Sequence, residues 1–322
     1  MKVFDRLCLF AHYDRTNGVA DHVLHYLAAL RDCGFATAVI SNSQLTPDAH
    51  NRLSGLAFDV MTCTGGGFDF HLWAEGLARH RASAGGLLLL TNDSVYGPVG
   101  GLRTCLDRLL GVNADAYGMV ESEELASHLQ GWFLLVRPPL HRHPAFAAFF
   151  GQDFQGMSKN EIILNGEMGF TAMIRREGFR TNAVYRGRLN SMSRFLGGAN
   201  PTTTALWERL ISHYGVPFIK IQLLRNNPER VANLDDWRDI VAAKAPALVP
   251  MIEAHLRRET GVGKGPLPLH HIKPRSLSSA TLLLRFDLAL CRGAVPGAMF
   301  LLALYRLSRA AEGRLCRIAN PP

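Results

Sequence analysis

The chain lacks the features that mark several common protein classes. Its six cysteines are scattered, with no C-x-x-C pair, a distribution that suits reduced, buried thiols. No stretch reaches the run of about 18 uncharged apolar residues that spans a bilayer. No secretory signal precedes the first apolar segment. These absences predict a cytoplasmic protein without disulfides.

Three enzyme signatures are also missing. The glycine-rich segment 261–265 does not have the G-x-x-x-x-G-K-[ST] spacing of a phosphate-binding loop. No G-x-S-x-G elbow is present for a serine hydrolase. Residues 13–18 follow the first predicted strand without the G-x-G-x-x-G of a dinucleotide-binding dehydrogenase or epimerase. We therefore discount these three classes.

The composition is that of a globular protein with anionic partners. The chain has 322 residues, of which 48% are hydrophobic and 19% charged, and a formal charge of +8. An excess of positive charge favours a nucleotide diphosphate, a lipid pyrophosphate or an acidic membrane surface. Nucleic acid is not expected, because the chain has no zinc-finger spacing, no basic helix and no basic stripe with interleaved aromatics.

Strand and helix patterns alternate through the first half of the chain. Apolar runs predict strands at Leu7–Ala11, Ala36–Ile40, Phe58–Met61 and Leu87–Leu90, with helical patterns between them. Such alternation indicates an α/β fold with a mostly parallel sheet flanked by helices.

Further elements follow this alternation. We predict helices at 98–110, 123–127, 144–150, 161–177 and 201–214, strands at 116–120 and 132–136, an apolar connector at 217–223 and short helices within 226–260.

Polar residues follow each of the first four predicted strands. They are His12-Tyr13-Asp14, Ser41-Asn42-Ser43, Gly67-Phe68-Asp69-Phe70 and Asn92-Asp93-Ser94. Each group alone could simply make a turn. Together, at the carboxyl ends of parallel strands, they predict one crevice of the kind in which open α/β sheets bind ligands.

These segments and others carry a family resemblance. In order along the chain, the matching segments are 10–14, 18–19, 39–43, 67–70, 90–98, 128–130, 132–133, 200–202, 216–220 and 224–228. With them the chain resembles the rhamnan synthesis F family of glycosyltransferases, which act in bacterial polysaccharide assembly. One segment departs from the family pattern: residues 62–66 replace an Arg-Glu-Asn-like stretch.

The resemblance implies a GT-A-like fold and assigns the donor site. Asp93 stands near the metal-binding acidic motif of such enzymes. A single carboxylate there leaves two alternatives: a divalent cation, Mg²⁺ or Mn²⁺, held at Asp93, or transfer without a metal. The residues assigned to the donor are His12, Tyr13, Asp14, Ser41, Asn42, Gly67, Asp69, Asn92, Asp93 and Ser94.

The acceptor side is predicted from the same resemblance. An inverting transfer needs a carboxylate within reach of the attacking hydroxyl. The family places an acidic residue eleven positions before a glycine on an acceptor-side helix, as Glu167 precedes Gly178 here. Glu121 is the rival base, and the alternative for Glu167 is an ordinary helix-surface carboxylate. His128 and Gln130 either line the acceptor cleft or belong to a structural loop.

We divide the chain into a nucleotide-sugar-binding core at 1–185, a helical acceptor-side part at 186–260 and a C-terminal extension at 261–322. Within the extension, the apolar segment 295–307 is flanked by arginines. This pattern is typical either of an amphipathic element on a membrane surface or of a helix packed on the domain.

The resulting expectation is a glycosyltransferase at the inner face of the cytoplasmic membrane. The resemblance implies transfer of rhamnose from dTDP-rhamnose to a lipid-linked glycan, with inversion. A non-catalytic carbohydrate-binding or scaffold subunit of the assembly complex is the alternative.

Overall fold

The computed structural model describes residues 2–66, 68–123, 126–186, 202–227, 231, 234 and 236–260. Within these ranges, eight strands form a mixed sheet and two short strands form a separate ribbon. The strands are β1 (Phe4–His12), β2 (Ala36–Ser41), β3 (Asp59–Thr62), β4 (Ala84–Asn92), β5 (Val95–Tyr96), β6 (Ala116–Ser122), β7 (His128–Leu129), β8 (Phe133–Val136), β9 (Thr181–Arg186) and β10 (Ile219–Lys220).

The first half of the sheet is parallel, in the order β3-β2-β1-β4. Leu9 at the centre of β1 lies opposite Ala38 on one side and Leu90 on the other. Because helices cover both faces, the centre of β1 is apolar, and Leu7 to Phe10 are completely buried. The predicted sheet flanked by helices is confirmed.

The second half of the sheet is mainly antiparallel. β8 runs antiparallel to β4 and to the start of β6, while β9 runs parallel to β6. The predicted helix at 123–127 is wrong for its described residues, which are not helical. They connect β6 to β7, which pairs antiparallel with the end of β6, so the hairpin overrides the local helical pattern.

Helices connect and flank these strands. Those described are Asp21–Asp32, Pro47–Ser54, Phe68–His80, Leu102–Leu110, Pro138–His141, Pro144–Phe150, Lys159–Glu161, Ile162–Met168, Gly169–Arg176, Thr202–Ala205, Trp207–Ser212, Ile221–Asn226, Trp237–Ala242 and Leu248–Thr260.

Residues 159–176 form one continuous helical stretch, named here the Glu167 helix. Ser158 begins it with a capping box, in which Ser158 and Glu161 satisfy each other's backbone N–H groups. Its middle, Ile162–Met168, is a π-helix, a rare form that is frequent at functional sites. The stretch ends before Gly178, whose φ of +79° suits a glycine at a helix C-terminus. The predicted helix at 161–177 is therefore confirmed.

Two apolar cores lie against the sheet, and a third joins the later helices to β5. The third core contains Tyr96 with Trp207, Trp237 and Leu256. The predicted connector 217–223 is wrong in part: Ile219 and Lys220 form β10, which pairs with β5, and a helix begins at Ile221. The ribbon thus attaches the later helices to the sheet.

Residues 261–322, with the predicted amphipathic extension, lie outside the described residues, as does Gly67. In the part that is described, no helix combines the length and apolar character needed to cross a bilayer. The boundaries at 185 and 260 stay a prediction.

Candidate functional site

Strand order brings the predicted polar tips together at one edge of the sheet. His12 at the end of β1 contacts Ser41 at the end of β2, with 2.9 Å between the ring Nδ1 and the hydroxyl Oγ. The Asp14 amide donates to the Ser43 hydroxyl over 2.7 Å. Burial lowers the pKa of His12 to about 4, so this imidazole is neutral near pH 7.

Asp93 follows β4 and faces the tip of β1. The Tyr13 amide donates to its Oδ2 over 2.7 Å, and the Asp93 amide donates to the Ala11 carbonyl over 3.3 Å. The residue is partly exposed. Burial of its carboxyl group, aided by the nearby charge of Asp69, raises the pKa of Asp93 to about 8 despite the Tyr13 bond. Two acidic groups therefore share this edge of the crevice.

Asp69 stands beside Asn92 in the same crevice. The Asn92 side-chain amide donates to Asp69 Oδ2, and Asn92 Oδ1 accepts from the Ser94 amide and hydroxyl at 3.1 and 2.6 Å. Burial raises the pKa of Asp69. The side chains that follow β4 are thus held in one orientation.

Two aromatic side chains lie exposed at this edge. Tyr13 is 61% and Phe68 48% accessible, and Phe68 has a φ of +54°. A bulky residue in the left-handed region costs on the order of 1–3 kcal/mol and is typical of ligand sites. Exposed rings beside polar strand ends can stack on a planar ligand.

Lys220, at the end of β10, projects into the same crevice. Its Nζ donates to the Ser94 hydroxyl over 3.1 Å and lies 5.4 Å from the centre of the Trp132 ring. Burial lowers the pKa of Lys220 to about 8, although the charges of Glu167 and Asp69 act in the opposite direction. Lys220 therefore lies within electrostatic reach of both Asp69 and Glu167.

Glu167 lies on the π-helix and is partly open, with 31% of its side chain accessible. Its Oε2 accepts from the Gly131 amide over 3.4 Å and lies 3.9 Å from His128 Nε2. A Cβ atom on Gly131 would stand 2.9 Å from Glu167 Cγ. The glycine therefore permits the close approach that positions this carboxylate.

The two predicted acceptor residues lie beside Glu167 but are largely engaged. The ring of His128 is buried, and its Nδ1 lies 2.7 Å from the Ala126 carbonyl. Gln130 Oε1 accepts from Trp132 Nε1 over 2.9 Å and from the Thr203 hydroxyl. Both residues could line the cleft while they support its walls.

Glu121 is placed differently from Glu167. Its Oε1 accepts from Arg175 over 2.7 Å and from Ser127 over 2.8 Å, and its Oε2 lies 3.4 Å from Arg186. Only 13% of its side chain is accessible. A carboxylate held by two guanidinium groups is poorly placed to take a proton from a substrate, so the arrangement favours Glu167 over Glu121 as the base.

The atypical segment 62–66 packs closely on the loop that holds Gln155. A Cβ atom on Gly65 would meet Gln155 Nε2 at 2.3 Å, and one on Gly66 would meet the Gln155 carbonyl at 2.8 Å. The Asn42 side chain donates to the Gly65 carbonyl over 2.9 Å. The two glycines allow this close contact.

The sequence argument missed a second group of residues, on the helix Leu248–Thr260. Arg258 is paired with Asp14, and Arg15 lies 3.4 Å from Glu259. Burial opposes ionisation of Asp14, but hydrogen bonds from Thr16 and the charge of Arg258 lower its pKa to about 2. This helix therefore closes one side of the β1 loop.

Asp69 and Asp93 are the candidate ligands for a divalent cation in the crevice. Among the described residues, no three His, Cys, Asp or Glu side chains form a metal-binding group. Asp69 and Asp93 nevertheless offer hard oxygen ligands, and burial together with the charge of Asp69 raises the pKa of Asp93. Mg²⁺ and Mn²⁺ are commonly held by one or two carboxylates together with substrate phosphates, and the two aspartates fit that arrangement.

The fold is that of an α/β protein with a cluster of polar side chains at the carboxyl ends of its parallel strands. Residues 37–257 match the model of the family described as rhamnan synthesis protein F. The match spans more than half of the chain, so the chain belongs to the rhamnan synthesis protein F family.

Other comparisons give more distant relatives. The uncharacterized protein y4gN of Sinorhizobium fredii is 24% identical over 174 residues, which are 52% of this chain and 45% of that protein. This chain therefore spans less than half the length of that curated relative.

Two solved structures have low similarity to the chain. A mannosyltransferase, PcManGT from Pyrobaculum calidifontis, was solved with GDP-Man and Mn²⁺; it is 12% identical, has a TM-score of 0.39, and the alignment covers 96% of this chain and 87% of that one. A putative nucleotide-diphospho-sugar transferase from Desulfovibrio desulfuricans is 10% identical with a TM-score of 0.40, over 80% of this chain and 99% of that one.

Proposed function

We propose that the chain is a glycosyltransferase that moves a sugar from a nucleotide diphosphate donor to a hydroxyl group of a glycan. One observation carries the proposal: Asp93, just after β4, and Glu167, on the π-helix, both act electrostatically with Asp69, which lies in the first turn of the helix Phe68–His80. The charges of Asp69 and Glu167 also both act on Lys220. Membership in a family named for rhamnan synthesis supports this assignment.

In this proposal the strand tips bind the donor. His12, Ser41 and the Tyr13 ring hold the nucleoside, and Asp93 and Asp69 face the diphosphate. When a divalent cation is bound, these two aspartates hold it, and it supplies positive charge to the phosphates. The hydrogen bonds described above hold residues 41–43 and 92–94 in place, so that these residues keep the donor in one orientation.

Glu167 acts as the general base. As the acceptor oxygen attacks the anomeric carbon, its proton passes to the Glu167 carboxylate, and the bond from that carbon to the diphosphate oxygen breaks. The electron pair of the broken bond stays on the diphosphate. Attack on the face opposite the leaving group gives inversion. His128 and Gln130 line the acceptor side.

The finer assignments follow the family description and the charge of the chain. We propose rhamnose from dTDP-rhamnose as the transferred group, a lipid-linked glycan as the acceptor, and a cytoplasmic location beside the membrane surface. The excess of basic residues favours both an anionic donor and an anionic surface.

A donor screen followed by a transfer assay tests the proposal. Nucleotide sugars are ranked by the rise in melting temperature of the protein, since a ligand that binds only the folded state stabilises it. We expect dTDP-rhamnose to give the largest shift, Asp93→Ala to abolish it, and the wild-type protein to transfer the sugar to a glycan acceptor. Donor binding without transfer to any glycan acceptor would favour the scaffold alternative, and no binding of any nucleotide sugar would refute the proposal.

A further inference from the structure

The function proposed above gives Lys220 no ligand to bind, although the fold places its ammonium group specifically. β10 pairs antiparallel with β5, so that Lys220 lies opposite Val95, and the Ile221 amide donates to the Ser94 carbonyl over 3.1 Å. The ribbon therefore attaches Lys220 to the segment that directly follows Asp93.

The ribbon depends on a close backbone approach at Gly97. A Cβ atom there would lie 2.4 Å from the Pro217 carbonyl and 2.5 Å from Phe218 Cδ1. Across the same contact the Val99 amide donates to the Pro217 carbonyl over 2.7 Å. Glycine thus allows the chain before Lys220 to lie directly on the chain after Asp93.

The positive charge of Lys220 offsets negative charge in the crevice. The charges of Asp69 and Glu167 act on Lys220, and Asp93 adds a third carboxyl group, whose raised pKa of about 8 keeps much of it protonated near pH 7. A nucleoside diphosphate would bring further negative charge to the same place. Without a nearby positive charge the approach would be repulsive. Lys220 is a cation held among these groups, whereas Lys159, whose charge also acts on Asp69, lies exposed at the start of the Glu167 helix.

The geometry leaves the ammonium group able to bind a ligand. A lysine ammonium has three N–H donors, and the Ser94 hydroxyl takes one at 3.1 Å. The Trp132 ring, 5.4 Å away, favours the positive charge without accepting a conventional hydrogen bond. Donors therefore remain for a phosphate oxygen placed beside Asp93.

We propose that Lys220 binds the diphosphate of the nucleotide-sugar donor and stabilises the negative charge left on it when the sugar departs. This inference rests on the proposed function. The bond between the anomeric carbon and the diphosphate oxygen breaks, and its electron pair stays on that oxygen, where the ammonium lies. The acceptor oxygen forms the new bond to the same carbon, and its proton goes to Glu167.

Calorimetry with simple nucleotides tests the inference. The probes are the nucleoside diphosphate of the best donor and the matching monophosphate, which lacks the second phosphate. A charge-assisted hydrogen bond corresponds to a change of about 10- to 100-fold in affinity. We expect Lys220→Met to weaken diphosphate binding by that factor and monophosphate binding by less than about threefold.

Matched variants separate this role from a structural one. Lys159→Met, which removes an exposed charge, should bind both nucleotides as the wild type does. Lys220→Arg should restore part of the diphosphate affinity, and Ser94→Ala, which removes the hydroxyl that holds the ammonium, should give a smaller loss in the same direction. The Ser94 variant keeps the test decisive if Lys220→Met does not fold.

Two results would overturn the inference while leaving the proposed function intact: Lys220→Met binding the diphosphate as tightly as Lys159→Met does, or Lys220→Met losing monophosphate and diphosphate affinity equally. Failure of the wild-type protein to bind any nucleoside diphosphate is a different outcome, and it would refute the proposed function and this inference together.

Discussion

In the first half of the sheet, three parallel strands each end in a polar residue of the crevice. Glu167 and Lys220, in the second half of the chain, are placed by less regular elements. His12 ends β1, Ser41 ends β2 and Asn92 ends β4. Glu167 instead lies on a π-helix, and Lys220 enters through a two-residue strand. A regular scaffold thus places the polar side chains at the strand ends, and local exceptions place Glu167 and Lys220.

The largest expected effect separates the two candidate bases. Glu167→Gln keeps the shape of the side chain but cannot accept a proton, so we expect transfer to slow by about 10²- to 10⁴-fold, with donor affinity nearly unchanged. Initial rates at saturating donor and calorimetry with the nucleoside diphosphate measure the two quantities.

The matched control is Glu121→Gln, which alters a carboxylate held by Arg175 and Arg186. It should cost stability and leave most of the transfer rate. If the Glu121 variant lost the rate and the Glu167 variant kept it, the assignment of the two residues would be reversed.

The contact of the helix Leu248–Thr260 with β5 and the helix Asp21–Asp32 should be sensitive to acid. His22 and His255 pack with ring centroids 4.5 Å apart, and Tyr96 OH lies 2.7 Å from His255 Nδ1. Burial, with a contribution from Arg258, lowers the pKa of His255 to about 4, and burial also lowers the pKa of His22. The His255 ring is therefore neutral in the folded protein at pH 5, and burial favours the neutral form of His22 as well.

The direction in which stability changes with pH follows from the number of protons that the folded and unfolded chains bind. The unfolded chain binds a proton at each histidine below a pH of about 6.5, and the folded chain resists it, so the free energy of unfolding falls as the pH falls. For His255 the loss reaches about 3 kcal/mol between pH 6.5 and 4. Urea melts at several pH values should show this slope.

His255→Gln tests the origin of the slope. This variant should flatten the loss of stability between pH 6.5 and 4, whereas His50→Gln, at an exposed position, should leave it unchanged. Equal slopes in all three proteins would show that the buried pair does not control acid stability.

Much of the first half could be predicted from sequence because its signals are local. An apolar run followed by Asn92 and Asp93 specifies a buried strand and its polar end together. Lys220 gave no such signal: it stands in an apolar segment, and its partner Ser94 is 126 positions away. A single lysine among apolar residues was the clue available, and only the fold shows what it contacts.

The same reasoning explains the other differences. The apolar spacing of the Glu167 helix predicts a helix but cannot reveal a π-helical turn, which depends on packing. The pair Asp14–Arg258 joins residues 244 positions apart. The hairpin after β6 replaced a predicted helix because pairing with β7 satisfies the strand backbone. All three features depend on contacts between residues far apart in the sequence, and a local sequence pattern does not contain these contacts.

A substitution at Gly131 should move the acceptor side without disturbing the donor side. In Gly131→Ala the new methyl group would press on Glu167 and approach Phe70 Cε2 to 3.4 Å. We expect a stability loss of about 1–3 kcal/mol and a larger relative loss of transfer than of donor binding. Transfer rates and calorimetric donor affinities, measured on the same preparation, give the two losses separately.

Gly178→Ala is the matched control, since that glycine has a φ of +79° and open space around its Cα. It should lose about 1 kcal/mol of stability through backbone strain and keep its ratio of transfer to binding. A Gly131 variant that behaved in the same way would mean that Glu167 tolerates the displacement.

The smallest effect is expected at the start of the Glu167 helix. Ser158→Ala removes the cap that accepts from the Glu161 amide, which should cost about 1 kcal/mol of stability and lower transfer only slightly. Thermal melts and rates check this, with Ser54→Ala on the exposed end of another helix as the comparison. A loss of transfer as large as that of Glu167→Gln would contradict a purely supporting role for the cap.

Hydrogen exchange with and without the nucleoside diphosphate tests most directly whether the two halves form one site. The account predicts simultaneous protection of the segment after β4, residues 92–96, and of the ribbon strand at 219–221, together with the tips of β1 and β2. Protection confined to one of these segments, or found only at the separate groove lined by Ala145, Phe149, Met173 and Arg176, would contradict it.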